Sequence, residues 1–364
     1  RDKPWSRTID SYPPQMLAAF ITSFVAFSGS PEELAELATI APSLYELVQR
    51  SKSEPEVLAR ELRESPLATI ASNVSMPAPG PNAATLPIVV AHGMGDSCFN
   101  SGMESITAAA GQRLSVYSTC IPTGMNDIFD TINGFIKNMD ASVDEFAKRV
   151  RKDPKLAGGF NAFGLSQGNN LIRGYIAKYN DPPVNAFMSI CGINAGVGAF
   201  PQCSPSTIVI GGICKALTEV LGALAYNPLV QSILFQANYF RDPARITESN
   251  YLNYSQLAKW NGETGADMYT EKVNWAKTSK FIWVEGTQDT VVWPREGEQF
   301  GAVSYDYPNN MTVMPYSQTK WYTDDTFGFR TADEAGKNYF ESFRGQHIRF
   351  TNAELYGWLD KYFV

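Results

Sequence analysis

The chain has 364 residues, of which 44% are hydrophobic and 18% are charged, so it can bury a large core and is not an intrinsically disordered protein. Thirty Lys and Arg stand against 37 Asp and Glu, and the formal charge of -7 offers no basic field to a phosphate backbone. We therefore expect no nucleic-acid partner. Two histidines occur, His92 and His347, and they are the candidates for an imidazole base.

Residues 1–85 are predicted to form a helical extension followed by a proline-rich linker. Ser30-Pro31-Glu32-Glu33 is a capping-box pattern with proline at the first helical position, and apolar residues follow it at helical spacing as far as Leu44. A second helix is predicted for residues 54–64. The segment 72–85 is rich in proline and reads as a linker or extended arm.

From Leu86 onward the pattern changes to strands that alternate with helices. Short apolar runs bounded by glycine predict strands at residues 88–91, 159–163, 186–190 and 281–284. This alternation predicts an α/β fold with a mostly parallel central sheet covered on both faces. Residues 86–364 are predicted to be one domain, which ends in an amphipathic helix from Thr351 to Phe363.

The most apolar long run, Ile208 to Tyr226, is interrupted at helical spacing by Lys215 and Glu219. This pattern favours an amphipathic helix that faces the core or lipid, so we expect no transmembrane segment and allow peripheral contact with lipid.

Gly164-Leu165-Ser166-Gln167-Gly168 matches the G-x-S-x-G turn, in which a serine projects from a tight connection between a strand and a helix. A predicted strand precedes the pattern and a predicted helix follows it, as this turn requires. A serine hydroxyl is a weak nucleophile, so it needs a histidine base that is oriented by a carboxylate. Ser166 is therefore a candidate nucleophile.

In this type of site the chain order is serine, acid, histidine, and His347 is the histidine that follows Ser166. His92 would instead be a structural residue at the end of the first strand. Asp289 is the leading candidate for the acid, because it follows the strand at 281–284 and so lies at the carboxyl edge of the sheet. Four competing acids remain open at this point: Glu285, Asp324, Asp325 and Asp333.

A tetrahedral oxyanion needs two backbone N–H donors, one of them from the residue after the nucleophile. Gln167 occupies that position. Met94, in the glycine-rich segment that follows the first strand, is the candidate for the second donor.

With these motifs the chain resembles the palmitoyl-protein thioesterase family of lysosomal lipid hydrolases. The similar segments run in order from Leu86: 86–98, 152–156, 159–162, 164–168, 236–239, 242–243 and 345–347. The resemblance implies an α/β-hydrolase fold, a triad of Ser166, Asp289 and His347, an oxyanion hole at Met94 and Gln167, and hydrolysis of fatty acyl groups from cysteine thiols. Residues 1–85 have no counterpart in this pattern, and we expect their helices to pack near the substrate groove.

The resemblance also implies a lipid-binding insertion at about residues 197–275. Apolar side chains between Ile208 and Phe240 have the composition to line an acyl groove, although each could equally fill the core. The candidates are Ile210, Leu217, Leu221, Leu224, Leu234 and Phe235.

The five cysteines lack the C-x-x-C spacing of zinc sites, and we expect neither a metal nor a cofactor. The resemblance implies a disulfide between Cys203 and Cys214, and we expect a second between Cys98 and Cys120 that leaves Cys191 as a buried thiol. Three N-x-S/T sequons, at Asn73, Asn253 and Asn310, together with the cysteines favour a secreted or lysosomal protein.

The predicted activity is the removal of long-chain acyl groups from S-acylated proteins or peptides. Two alternatives remain open: an oxygen-ester hydrolase of the lipase or cutinase type on the same fold, and a non-catalytic lipid-binding protein. The triad does not distinguish a thioester from an oxygen ester, whereas a complete set of serine, acid and histidine disfavours a protein without activity.

Overall fold

The computed structural model describes residues 29–64, 86–200, 217 and 220–364. In chain order the strands are β1 (Ile88–Ala91), β2 (Ser118–Cys120), β3 (Phe160–Leu165), β4 (Val184–Ile190), β5 (Lys280–Gly286), β6 (Ala302–Val303), β7 (Val313–Met314) and β8 (Asn338–Phe343).

The helices are α1 (Pro31–Ile40), α2 (Pro42–Ser53), α3 (Pro55–Glu64), α4 (Ser101–Leu114), α5 (Asp127–Ile136), α6 (Met139–Lys152), α7 (Gly168–Lys178), α8 (Pro228–Gln231), α9 (Phe235–Tyr239), α10 (Ser249–Tyr254), α11 (Gln256–Trp260), α12 (Tyr269–Ala276), α13 (Lys320–Thr323), α14 (Phe329–Glu334) and α15 (Asn352–Tyr362). Three short 3₁₀ segments lie at Pro154–Leu156, Arg295–Gln299 and Tyr316–Gln318.

Six strands form one parallel sheet in the order β2-β1-β3-β4-β5-β8, and β6 pairs with β7 in a separate antiparallel ribbon. The predicted fold class, a mostly parallel sheet flanked by helices, is thus confirmed. Because all six strands run the same way, the loops that follow β1, β3, β5 and β8 emerge at one edge. These loops carry the candidate site residues.

The central strands β1, β3, β4 and β5 are buried because they supply apolar side chains to both faces of the sheet. Val89 and Ala91 of β1 face one apolar cluster, and Ile88 and Val90 face the other. Helices α4 and α15 pack together over the second cluster. The predicted C-terminal helix begins at Asn352, with Thr351 as its capping-box residue.

Within residues 29–64 the N-terminal extension forms three short helices, whereas the sequence pattern predicts two. Pro42 explains the extra break: its ring and its missing N–H do not fit within a continuing helix, so α1 ends at Ile40 and α2 begins at Pro42. The capping box of Ser30 and Glu33 is formed as predicted.

The third helix of the extension packs against α5. Leu58 and Leu62 are buried, and the Arg63 guanidinium reaches Oδ2 of Asp127 at 2.7 Å and Oγ1 of Thr131 at 3.0 Å. The extension therefore contacts the helix that comes after the first two strands.

Within the described ranges, no helix combines the length and apolar composition that a membrane crossing requires. Most of the apolar run at 208–226 lies outside these ranges, and so do the linker at 72–85 and residues 1–28.

Candidate active site

Ser166 occupies the tight turn between β3 and α7, and its backbone has a positive φ of 52°. The turn is held by the Ser166 N–H, which donates to the Ile190 carbonyl at 3.0 Å. A side chain at Gly164 would meet the Asn169 carboxamide at 2.4 Å, so this position requires glycine. The local geometry is that of a strained nucleophile turn.

His347 connects the serine to an acid. Its Nε2 lies 2.8 Å from Oγ of Ser166, and its Nδ1 bonds to Oδ2 of Asp289. Because a carboxylate is only an acceptor, Nδ1 carries the proton and Nε2 is free to accept one from the serine. The structure thus brings together three residues from the loops after β3, β5 and β8.

Asp289 is held in place by its own turn. Oδ1 accepts the N–H groups of Val291 and Val292 at 2.7 and 3.1 Å, and Asp289 N–H donates to the Gly286 carbonyl at 2.8 Å. Burial opposes ionisation, but the hydrogen bond and charge of His347 leave the pKa of Asp289 below its ordinary value. Asp289 is therefore an ionised partner for the imidazole.

The competing acids have other partners. Glu285 forms an ion pair with Arg295 at 2.7 Å, and Asp324 is exposed. Asp325 accepts from Thr331, and Asp333 accepts from the hydroxyl of Tyr322. His347 makes its contact with Asp289 instead.

Two loops approach each other closely where the oxyanion donors are expected. A Cβ at Gly168 would lie 2.4 Å from the carbonyl oxygens of both Ala91 and His92, so the start of α7 packs directly on the end of β1. Gly95 has a positive φ of 75°, which lets the chain turn after Met94. The loop that carries Met94 therefore begins against the start of α7, beside Gln167, where the positive end of the helix dipole is located.

A hydrogen-bond network fixes the side chain of Gln167. Its Nε2 donates to the Gly134 carbonyl at 2.8 Å, and its Oε1 accepts from Nε2 of Gln236 at 2.9 Å and from the Tyr239 hydroxyl at 3.1 Å. Nε2 of Gln236 also lies 3.0 Å from Sδ of Met94. The network therefore connects both candidate donor residues to α5 and α9.

The other histidine, His92, belongs to the loop that carries Met94. Nε2 of His92 is 3.2 Å from Oδ2 of Asp130, and both side chains are buried. Burial opposes a charge on His92, but the carboxylate of Asp130 raises the pKa of His92 to about 9, so the imidazole is cationic at neutral pH. His92 is thus a structural residue, as its position in the chain suggested.

Asp130 also ties two loops together. Its Oδ2 accepts from Cys98 N–H at 2.9 Å, and its Oδ1 accepts from Thr123 and Gly124 N–H at 2.6 and 2.9 Å. The disulfide between Cys98 and Cys120 joins the same two segments, so the second expected pairing is present in the structure.

Of the residues proposed to line an acyl groove, Leu217, Leu221 and Leu234 are buried in the core, and Leu224 is partly buried against it. Phe235 borders a cavity of about 10 Å³, beside Gln167, which is room for about one water molecule and not for an acyl chain. Ile210 lies outside the described residues. In the described part of the chain these side chains are packed rather than open.

The remaining predictions concern modification and disulfides. Asn253 and Asn310 are exposed, as an acceptor of glycans must be, whereas Asn73 lies outside the described residues. Cys203 and Cys214 also lie outside them, and Cys191 is buried with a free thiol.

Sequence reasoning did not find four residues that support the site: Asp130, Gln236, Tyr239 and Glu298. Gln236 and Tyr239 belong to a segment on which the family resemblance rested, and their spacing of three residues on α9 signals one helix face. Nothing in the sequence pattern distinguishes Asp130 or Glu298 from surface acids.

A parallel sheet with a serine at the turn after β3, and with acid and histidine following in that order at the same edge, defines an α/β-hydrolase with a serine hydrolase site. Within this class the chain belongs to the palmitoyl protein thioesterase family, whose sequence model matches residues 87–347.

The chain is similar to several characterised proteins. It is 29% identical over 282 residues to palmitoyl-protein thioesterase 1 of Caenorhabditis elegans, with 77% of this chain and 92% of that protein covered. It is 31% identical over 260 residues to palmitoyl-protein thioesterase 3 of Dictyostelium discoideum, with 71% and 83% covered. It is 26% identical over 256 residues to the lysosomal thioesterase PPT2 homolog of Drosophila melanogaster, with 69% and 81% covered.

Among solved structures, the Pyrobaculum calidifontis esterase gives a TM-score of 0.41 at 10% identity, with 96% of this chain and 98% of that chain covered. An extracellular α/β-hydrolase from a Paenibacillus species gives 0.37 at 13% identity, with 76% and 98% covered.

Proposed function

We propose that this protein is a serine hydrolase that removes long-chain fatty acyl groups, such as palmitoyl, from S-acylated cysteines of proteins or peptides. The observation that carries the proposal is the 2.8 Å contact between Oγ of Ser166 and Nε2 of His347, in a chain that belongs to this thioesterase family. The relatives named for this activity support the choice of substrate.

In the proposed first half of the reaction, Ser166 is the nucleophile. Its hydroxyl proton passes to Nε2 of His347 as Oγ bonds to the thioester carbonyl carbon, and Asp289 stabilises the imidazolium that forms. The oxyanion accepts N–H groups from Met94 and Gln167. The C–S bond then breaks, and the thiol leaves with the proton from His347. A cysteine thiol has a pKa of about 8.5, so its thiolate is a good leaving group.

In the second half, His347 takes a proton from a water molecule that attacks the Ser166 ester. The same two amides hold the second oxyanion. Collapse of this intermediate returns the proton from His347 to Oγ of Ser166 and releases the fatty acid. No residue beyond the triad and the two donors is needed for proton balance.

The proposed setting is the lumen of the lysosome or the extracellular space. The Cys98–Cys120 disulfide favours an oxidising compartment, and the exposed sequons at Asn253 and Asn310 are compatible with glycosylation there. One relative is named as a lysosomal thioesterase, which supports the same setting. The proposed partners are S-acylated proteins or peptides, presented from solution or from a lipid surface.

A substrate panel tests the proposal. The full chain is assayed with acyl thioesters of graded chain length and with oxygen esters of the same acyl groups, alongside Ser166→Ala. We expect the highest kcat/KM for an S-palmitoyl peptide, and a loss of about 10⁶-fold in kcat for Ser166→Ala.

Three outcomes would overturn it. A strong preference for the O-palmitoyl serine analogue would assign an oxygen-ester hydrolase. Unchanged turnover in Ser166→Ala would place any activity elsewhere, and absence of turnover with retained binding of palmitate would assign a lipid-binding protein.

A further inference from the structure

A second buried carboxyl group lies behind the triad. Glu298, in the 3₁₀ segment Arg295–Gln299, has no solvent exposure. Its carboxyl group clusters with Asp289, His347 and Cys191: one side-chain oxygen, nitrogen or sulfur atom of each residue lies within 4.8 Å of the others. The reaction scheme above makes no use of this residue.

Glu298 is attached to the same turn that presents Asp289. Its Oε2 accepts the Gly286 N–H at 2.9 Å, and the Gly286 carbonyl accepts the N–H of Asp289 at 2.8 Å. Its backbone is fixed as well, because Nδ2 of Asn194 donates to the Glu298 carbonyl at 2.7 Å. The carboxyl group is therefore rigidly placed at the base of the acid's turn.

The other oxygen of the Glu298 carboxyl group, Oε1, is also buried. Oε1 receives no hydrogen bond from the described residues. Two adjacent buried carboxylates would repel each other, and a single proton on one of them converts the repulsion into a hydrogen bond. Asp289 is not the carboxyl group that takes this proton, because it already accepts from His347, Val291 and Val292.

We propose that Glu298 is an uncharged positioning residue that donates a hydrogen bond from its carboxyl group to Asp289 and so fixes the acid of the triad. This inference deepens the proposed function, on which its kinetic readout rests.

The surrounding groups are consistent with a neutral Glu298. Burial, and then the charge of Asp289, raise the pKa of Glu298 well above its usual range. Cys191, which follows β4, has its own pKa raised by burial and by these carboxyl groups, so it stays a neutral thiol. Glu285 is paired with Arg295, and His347 directs Nδ1 to Asp289. Among the described residues, no neighbour supplies a countercharge that Glu298 alone could use.

The test compares Glu298→Gln and Glu298→Ala with the wild type. Glutamine is neutral, nearly isosteric and able to donate to Asp289 while accepting from Gly286, so it reproduces the proposed state. Glu296→Gln, in the same 3₁₀ segment but with a side chain that is 43% exposed, is the matched control for loss of an acid. kcat and KM for an acyl thioester are measured across pH for each protein.

We expect Glu298→Gln to keep kcat within about 3-fold and to leave the midpoint of the acidic limb of kcat/KM unchanged. Glu298→Ala should lower kcat by about 10–100-fold with little change in KM, because Asp289 loses its support. If Glu298 served folding alone, both variants would have a lower Tm. The kinetic loss would not then be confined to kcat, and Glu298→Gln would not restore the kcat that Glu298→Ala loses.

A charged Glu298 gives the opposite result. Removing a buried negative charge beside the imidazole would weaken proton binding, so the acidic limb of Glu298→Gln would move to lower pH. Such a shift, or a kcat loss in Glu298→Gln as large as in Glu298→Ala, would overturn the proposal. If Glu298→Ala fails to fold, the comparison of Glu298→Gln with the wild type still decides.

An NMR titration separates this proposal from the proposed function. With two histidines in the chain, the imidazole signals are assigned by His347→Gln, and the titration of His347 needs no substrate. Equal midpoints in wild type and Glu298→Gln support a neutral Glu298 even if thioesters prove to be poor substrates. A lower midpoint in Glu298→Gln overturns it whatever the substrate.

Discussion

Nε2 of His92 lies 3.2 Å from the carboxylate of Asp130, both side chains are buried, and His92 begins the loop that carries Met94. The pair holds the loops on either side of the Cys98–Cys120 disulfide. Removing one partner of a buried ion pair leaves an uncompensated charge, which is far more costly than removing a surface pair. The first expected consequence is a pH dependence of stability.

The pKa of His92 is raised to about 9 in the folded protein, since the charge of Asp130 outweighs the opposing effect of burial. A histidine in the unfolded chain has a pKa of about 6.5, so the stabilisation is complete below about pH 6.5 and is lost as the pH rises through about 9. Burial opposes the charge of Asp130, but His92 lowers the pKa of Asp130 below its ordinary value. Asp130 therefore stabilises the folded protein above its unfolded pKa, and this stabilisation is lost in acid. Urea unfolding of the wild type should therefore show a decrease of about 2–3 kcal/mol between about pH 6 and 9.

Asp130→Asn tests the assignment. It should be less stable at acidic to neutral pH, and the decrease towards alkaline pH should become smaller because the charge that raises the pKa of His92 is gone. His347→Gln is the control and should retain the slope of the wild type. An equal slope in Asp130→Asn would show that another group causes the pH dependence.

Gly168→Ala should abolish activity through the backbone. Its Cβ would lie 2.4 Å from two main-chain carbonyl oxygens at the end of β1, which cannot move without displacing the strand. The start of α7 would shift away from Met94, so kcat/KM should fall by about 100-fold or more and the free energy of unfolding should also fall.

Gly357→Ala is the matched control for Gly168→Ala. Gly357 lies within α15 and is exposed, and a Cβ there has no neighbour within 4 Å. Alanine should raise the free energy of unfolding by about 0.5–1 kcal/mol and leave kinetics unchanged. Equal effects of the two substitutions would refute the close approach of α7 and β1.

The sequence predicts those parts of this structure that depend on local patterns. β1, β3, β4 and β5 are apolar runs ending at glycine or a turn, and the fold class predicted from them is confirmed. The sequence pattern does not predict β8, because Asn338–Phe343 mixes polar and aromatic residues at the sheet edge and lacks the continuous apolar character of a central strand.

In the candidate site, too, local patterns are predictable from the sequence and long-range contacts are not. The G-x-S-x-G motif predicts Ser166 as the nucleophile, and chain order predicts His347 as the base, because only one histidine follows the serine. Asp130 contacts Cys98 and His92 from more than 30 residues away, and Glu298 reaches Gly286 across a turn. Such partners are created by the packing of α5 and the 3₁₀ segment on the sheet, so an acid that is buried in the fold looks like any surface acid in the sequence.

Asp289→Asn should keep the fold and lose turnover. An asparagine can present an N–H to Nδ1 of His347, which favours the wrong tautomer and leaves Nε2 unable to accept the serine proton. We expect kcat to fall by about 10⁴-fold with Tm changed little. Asp324→Asn, at an exposed position, should behave like the wild type. If Asp289→Asn kept the wild-type kcat while Asp324→Asn lost it, the acid of the triad would be Asp324 and not Asp289.

Gln236→Ala should weaken catalysis without removing a reacting group. Nε2 of Gln236 bonds to Oε1 of Gln167 and lies near Sδ of Met94, so its loss weakens the network that holds the side chains of both candidate donor residues. We expect kcat/KM to fall by about 10-fold, less than for loss of a direct oxyanion donor. Gln318→Ala, at an exposed position, is the control. Equal kinetics for the two variants would show that the amides are positioned by the backbone alone.

The N-terminal extension offers a test with two neighbouring residues of α3. Leu58 is 1% exposed and belongs to the apolar core, whereas Val57 is 37% exposed. Leu58→Ala should lower the free energy of unfolding by about 2–5 kcal/mol, and Val57→Ala should change it by less than about 0.5 kcal/mol. Chemical denaturation measures both.

Leu58→Ala should also lower activity, because α3 packs on α5. Helix α5 supplies Asp130, which bonds to the loop that carries Met94, and the Gly134 carbonyl, which accepts from Gln167. We therefore expect kcat/KM of Leu58→Ala to fall at temperatures where Val57→Ala is unaffected and where most of the protein is still folded. Full activity of Leu58→Ala up to its own Tm would mean that the extension stabilises the domain without influencing the active site.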